Sequence, residues 1–451
     1  MWKFSNLLLK IIFILLLVSV WIFPQKKELN NPMPEFYRDN IDKPLKIDIS
    51  PVNIKPVQDI HLSASHPGEY NGGYFFRYLN SMKNSRLLSE FKPDKIWEIK
   101  WQSPLDSNLY PWFLLTANDH IIVQNESGWQ MFNTNGKLIT SSARMDGNLS
   151  IDFKNNLFYQ NDFSGFLAAN NLTTGQTEFF VYPYFGKGYE RSNIWYNENK
   201  FLTVGYELPV MTHKAPPKEP DITLFEVIDV QDKSLIDSDK ILNSAQQVQK
   251  LILKAKDVKI ASSGGLIVAA SDNFISVIDQ NLNVKKIFHG EFIPEEISLD
   301  EQLNIYLTVK VNDEKNDSFK FDFWVLNQNG EVINETELPV QDENSEFYPP
   351  ILGFDGNTFI LMENRLVSID PAGGIKWDSL LAGSSPGASI TENGYLLTSE
   401  GDLLCAFNKT GERNFIFQFE SEELYTPPIL TPDNEIYVAT KNFLYCLTPK
   451  N

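Results

Sequence analysis

The sequence predicts an all-β chain: an eight-bladed β-propeller of four-stranded antiparallel blades, closed by an N-terminal strand and preceded by a hydrophobic helix. Three observations predict it. A short apolar phrase ending in a small polar residue recurs eight times, Asx and Gly recur at the corners between phrases, and the last unit lacks a fourth strand that a segment near residue 95 can supply. The phrases end at 133, 170, 229, 279, 327, 370, 408 and 448, giving steps of 37, 59, 50, 48, 43, 38 and 40 residues. A period near 40 to 50 with strand-like units marks a propeller.

Blade six shows the pattern most fully. Pro350-Ile351-Leu352 opens an inner strand and Asp355-Gly356-Asn357 makes a tight turn. Thr358 to Met362 and Arg365 to Ile369 form the next two strands, and Ile375-Lys376-Trp377 starts the outer one. Blade seven repeats the corners as Glu392-Asn393-Gly394, Glu400-Gly401-Asp402 and Asn408-Lys409-Thr410-Gly411. Such corners need positive φ, or a side chain that bonds its own backbone. The last unit, Pro428 to Pro449, supplies three strands. Lys95-Ile96-Trp97 matches the outer phrase Ile375-Lys376-Trp377, so residues 95–101 are expected to complete blade eight against residues 428–449. Joining the two removes exposed sheet edges. Tyr74 to Phe91, carrying Phe75, Phe76 and Tyr78, is placed to pack against the ring as a plug or strap.

The front of the chain differs. Ile11 to Phe23 is an unbroken apolar run of 13 residues, too short for an ordinary full span and without a small-x-small cleavage site or a terminal Cys. We expect residues 1–23 to be an uncleaved signal anchor, with a cleaved signal peptide as the alternative. Residues 24–73 form a Pro-rich tether, and the propeller occupies 74–451. Either version puts the bulk of the chain outside the cytoplasm, as a single-pass cell-membrane protein or a secreted one.

A formal net charge of −19 repels phosphate backbones, and no basic stripe offsets it, so nucleic acid is excluded as a partner. The two cysteines, Cys405 and Cys446, fall on opposite faces of equivalent strands and are expected as buried free thiols. The five histidines make no cluster with cysteine, and no Gly-x-Ser-x-Gly turn occurs, so neither zinc nor a serine hydrolase is expected. The acidic stretches around Asp237 and Asp313 lack the pattern of a helix-flanked calcium loop.

From Phe76-Arg77 through Lys95-Ile96-Trp97 to the end, the chain resembles the pyrroloquinoline-quinone-type repeat propellers. The apolar-Asx phrase, the Gly after it and Gly374-Ile375-Lys376-Trp377 carry the likeness. That family has a dehydrogenase branch and a non-catalytic scaffold branch typified by the outer-membrane barrel-assembly lipoprotein. The first implies a quinone in a central funnel, a Ca²⁺ with oxygen ligands, an Asp base and, in many members, an adjacent Cys pair. No adjacent cysteines occur here, and the expectation is a scaffold without catalysis, cofactor or metal, binding an unidentified protein in the cell envelope. Two loops are candidates for that contact, both between second and third strands and so on one face. The blade-three loop carries Pro209, His213, Lys214, Pro216, Pro217 and Lys218, and the blade-five loop carries Asp313 and Lys315. Proline limits the ordering entropy lost on binding. A saccharide-binding propeller using Trp112, Trp129 and Trp195 as platforms, and a dehydrogenase with a diverged site, are the alternatives.

Overall fold

A computed structural model describes residues between Arg86 and Lys450, with breaks of which the longest are 208–222 and 230–248; residues 1–85 lie outside it. The hydrophobic run Ile11 to Phe23 and the aromatic residues Phe75, Phe76 and Tyr78 are therefore outside the described residues. Among those described every element is a strand, and no helix is long and apolar enough to cross a membrane. They form eight sheets, seven of four strands and one of five. The four-stranded pairings are all antiparallel, in a propeller-like arrangement.

Sheet six is built from Ile351–Leu352, Thr358–Met362, Arg365–Ile369 and Ile375–Leu380, the strands expected from sequence. Asp370 shows why an Asx ends the third strand. Its Oδ1 accepts from the backbone N–H of Ala372 and of Gly374, closing the turn that would otherwise leave both donors unpaired. Asn133, Asn327 and Asn408 do the same for residues two and four further on. In sheet two the capping residue is Asn171, not the expected Asn170. Asn171 accepts from Thr173 and Thr174, while Asn170 is buried and bonds Thr177. Two adjacent Asn residues offer the same chemistry, and only burial tells them apart.

Successive sheets are joined by a second repeated device. The outer strand of sheets one, five, six and eight carries a one-residue bulge next to the start of its pairing. Such a bulge re-aims the following side chain. That side chain then presses on the corner glycine of the next sheet: Thr140 on Gly175, Asn334 on Gly373, Trp377 on Gly411 and Trp101 on Gly136. Trp377 Nε1 donates to Lys409 O at 3.3 Å, and Trp101 Nε1 donates to Thr134 O at 2.9 Å. Gly411 has φ +83°, and a Cβ there would sit 2.7 Å from the Trp377 ring, so this corner excludes any side chain twice over.

This register corrects one expectation. The tryptophan equivalent to Trp377 is Trp101, not Trp97. Trp377 pairs with Ser368, two residues before Asp370, and Trp101 pairs with Cys446, two residues before Thr448. The phrase Ile-Lys-Trp itself recurs at Ile99-Lys100-Trp101. The strand that joins the tail is accordingly Trp97–Pro104, antiparallel to Phe443–Pro449, three residues longer than residue 101 and starting two later than residue 95.

The first strands of sheets two and three, three and four, four and five, and six and seven touch one another, so they converge on an axis while fourth strands lie outside. Sheet eight touches sheet one through Ile429–Leu430 and Pro111–Ala117. Hydrophobic layers fill the gaps between sheets. One layer joins Leu397 and Leu404 of sheet seven, Val438 and Leu447 of sheet eight, and Ile121 and Phe132 of sheet one. Full burial of a side chain such as Phe132 or Phe407 contributes about 1.5–3 kcal/mol.

Candidate functional site

The fifth strand of sheet seven lies on the sheet's inner edge. It is Arg86–Leu87, and it pairs in parallel with the first strand, Ala388–Thr391, with Arg86 opposite Ile390 and Leu87 opposite Thr391. Arg86 reaches across to sheet six. Its Nε donates to Leu352 O at 2.8 Å and its Nη2 to Gly353 O at 3.2 Å, and its guanidinium lies 5.1 Å from the centre of the Phe354 ring. Leu87 is fully buried.

The chain then crosses the end of sheet seven. Ser89 O accepts from Glu392 N at 3.0 Å. Asn393 clamps Phe91 from both sides, accepting from its N–H at 3.1 Å and donating to its carbonyl at 2.7 Å. The Phe91 ring stacks on Trp97 at 5.7 Å and lies 5.3 Å from Tyr395. Arg86 to Trp97 thus runs as one strap from the inner edge of sheet seven to the outer edge of sheet eight.

The two candidate loops follow the second strands of their sheets, Lys200–Glu207 in sheet three and Ile305–Asp313 in sheet five. Pro209, His213, Lys214, Pro216, Pro217, Lys218 and Lys315 lie outside the described residues. Asp313 ends its strand, paired with Ser318. Of the proposed sugar platforms, Trp129 is excluded: it is 2% exposed and packs edge-on against Phe158 at 5.0 Å, holding sheet one to sheet two. The side chains of Trp112 and Trp195 are outside the described residues.

The electrostatic contacts that stand out lie at the closure and in sheets five and seven. At sheet eight, Lys100 from the front strand pairs with Glu435, and Tyr437 donates to the same carboxylate at 2.7 Å. The hydrogen bond to Glu435 holds the Lys100 pKa above its ordinary value. Cys405 and Cys446 are both free and buried, and burial pushes both thiols up, which makes them poor nucleophiles at neutral pH. In sheet five, burial pushes the Asp322 carboxyl up despite Lys320 Nζ at 2.9 Å. Among the described residues no three of His, Cys, Asp and Glu converge closely enough to hold a metal ion. Within the expected Tyr74 to Phe91 strap, Phe75, Phe76 and Tyr78 lie outside the described residues, and the described contacts fall on Arg86, Leu87 and Phe91.

No family model matches the sequence, and no curated protein matches it. Solved structures do. BamB from Moraxella catarrhalis superposes with a TM-score of 0.52 at 12% identity, covering 79% of this chain and 98% of that one. Quinohemoprotein alcohol dehydrogenases from Pseudomonas putida HK5 and Comamonas testosteroni each superpose with a TM-score of 0.54 at 10% identity, covering 86% of this chain and 81% of theirs. The fold is that of a β-propeller like these. At these identities the likeness is one of fold alone, shared by BamB and by the two alcohol dehydrogenases.

Proposed function

We propose that this chain is an eight-bladed propeller acting as a non-catalytic binding scaffold in the cell envelope, held to a membrane through residues 1–23 and the Pro-rich tether. The observation that carries the reading is the strap. Arg86 and Leu87 occupy the axial edge of sheets six and seven, where a quinone-binding funnel would need open space and oxygen ligands. The likeness to BamB over nearly the whole of that protein agrees with this. The strap residues Arg86 and Leu87 do not fit a quinone at this edge of the axis.

The competing reading is a quinoprotein-type dehydrogenase with a diverged site, which the likeness to the two alcohol dehydrogenases favours. One experiment separates them. Purified protein is incubated with pyrroloquinoline quinone and Ca²⁺ and assayed for dye-linked alcohol oxidation. Turnover above the buffer control overturns the scaffold reading; its absence together with no quinone retained on gel filtration supports it. The role of the sheet-three loop is tested by replacing residues 209–220 with a short Gly-Ser turn. Loss of specific partners in crosslinked pull-downs is the expected result, and an unchanged partner set removes the loop from the interface.

A further inference from the structure

The strap has a direction, and the direction has a consequence. In each antiparallel sheet, the first-to-second and third-to-fourth turns emerge on one face, here the corner face. The second-to-third turns and the inter-sheet connections emerge on the other, the hairpin face. The first strand of sheet seven runs from the hairpin face to the corner face, ending at Thr391 where the Glu392–Gly394 turn begins. Arg86–Leu87 is parallel to it, so this segment runs the same way. Three further contacts fix that reading: Ser89 with Glu392, Phe91 with Asn393, and Trp97 with Pro449 all lie at the corner face.

We infer that the chain threads the ring along its axis, entering from the hairpin face and leaving on the corner face. The strand ends that lead into the sheet-three and sheet-five insertions, Glu207 and Asp313, lie on the hairpin face, and the Asx-Gly corners lie on the opposite one. Arg86 is level with Ile390, and the first strand begins at Ala388, so Arg86 stands two residues from the hairpin-face end of that strand. The axis at sheets six and seven is filled by the chain's own backbone, with Arg86 tying it to both. The threading does not rest on the scaffold reading, and it would hold equally for an enzyme.

Spin-label distances test the threading directly in the full chain. One cysteine is placed at Asn80→Cys and a second either at Asn364→Cys, in the second-to-third turn of sheet six, or at Ala372→Cys, in its third-to-fourth turn. Both sheet-six positions are exposed. Cys405 and Cys446 stay in place because their burial shields them from label. The expected result is a shorter distance from 80 to 364 than from 80 to 372. Equal distances, or the reverse order, overturn the inference. A second measurement guards against a general loosening of the segment. Leu87→Asp, which puts a charge into the axial core, should broaden the 80-to-364 distribution while thermal unfolding stays cooperative; an unchanged narrow distribution would also overturn it. Neither result depends on the pull-down or quinone assays, so failure here is distinct from failure of the scaffold reading.

Discussion

The joint between sheets six and seven and the joint between sheets seven and eight fill the same kind of gap in different ways. At the first, Trp377 lies on the Gly411 corner and stacks on Phe407 at 5.8 Å, all within about one repeat of sequence. At the second, that device is missing. Among the described residues sheet seven presses on no corner glycine of sheet eight, and the residue described after the third strand of sheet eight is Lys450. Phe91, clamped by Asn393 from 302 positions away, covers the place instead, between Tyr395 and Trp97. A repeated joint is specified locally and many times over; this one is specified once, by contacts whose loop-closure entropy is paid only when the whole chain folds.

The contrast is broken most severely by removing residues 443–451. That deletion strips sheet eight of the strand that pairs with both Ile436–Ala439 and Trp97–Pro104. The expected outcome is loss of a cooperative thermal transition, followed by circular dichroism. A truncated chain that still melts sharply would show that closure is dispensable. Phe91→Ala comes next. It empties a nearly fully buried ring site and should lower stability by about 3 kcal/mol in denaturant titration. Phe415→Ala, at a ring 68% exposed on the outer strand of sheet seven, should change it by less than about 0.5 kcal/mol. Equal effects at the two sites would mean that the strap holds nothing.

Gly411→Ala probes the repeated joint. The positive φ and the Trp377 ring together should cost about 1–3 kcal/mol. Combining it with Trp377→Ala makes room for the added methyl, so the double variant should lose less than the sum of the single ones, by about 0.5–3 kcal/mol. Strict additivity would place the cost in backbone strain alone. The smallest effect concerns Asp322. Its folded pKa is raised by burial, so its contribution favours folding below the unfolded value and is lost as pH rises through the folded one. Asp322→Asn is therefore expected to raise the melting temperature slightly at pH 7, with the difference shrinking as pH falls toward about 4. A variant that is less stable at pH 7 would show that the Lys320 pair outweighs desolvation.

Several features were legible without coordinates because they are enforced by short-range geometry. The Asx at 133, 327, 370 and 408 caps its own turn, and a residue that must serve two backbone donors within four positions leaves a periodic trace. The three complete strands of sheet six followed from the same corners. The register of the closing strand was not legible in the same way. Trp97 and Trp101 stand four residues apart in one strand, and residue type cannot say which meets a glycine corner 35 residues onward. The bulge between Ile99 and Trp101 decides it. Trp129 likewise offers a ring that suits a sugar or a core, and only the neighbouring sheet made it core.

The amino-acid order determined the repeat, the corners and the all-β architecture, since each depends on backbone torsions and hydrogen bonds closed within a few residues. Tertiary structure alone decided that Arg86 and Leu87 become a parallel strand on the inner edge of sheet seven. Two residues carry no period of their own, and their pairing has value only once sheets six and seven stand side by side to receive them.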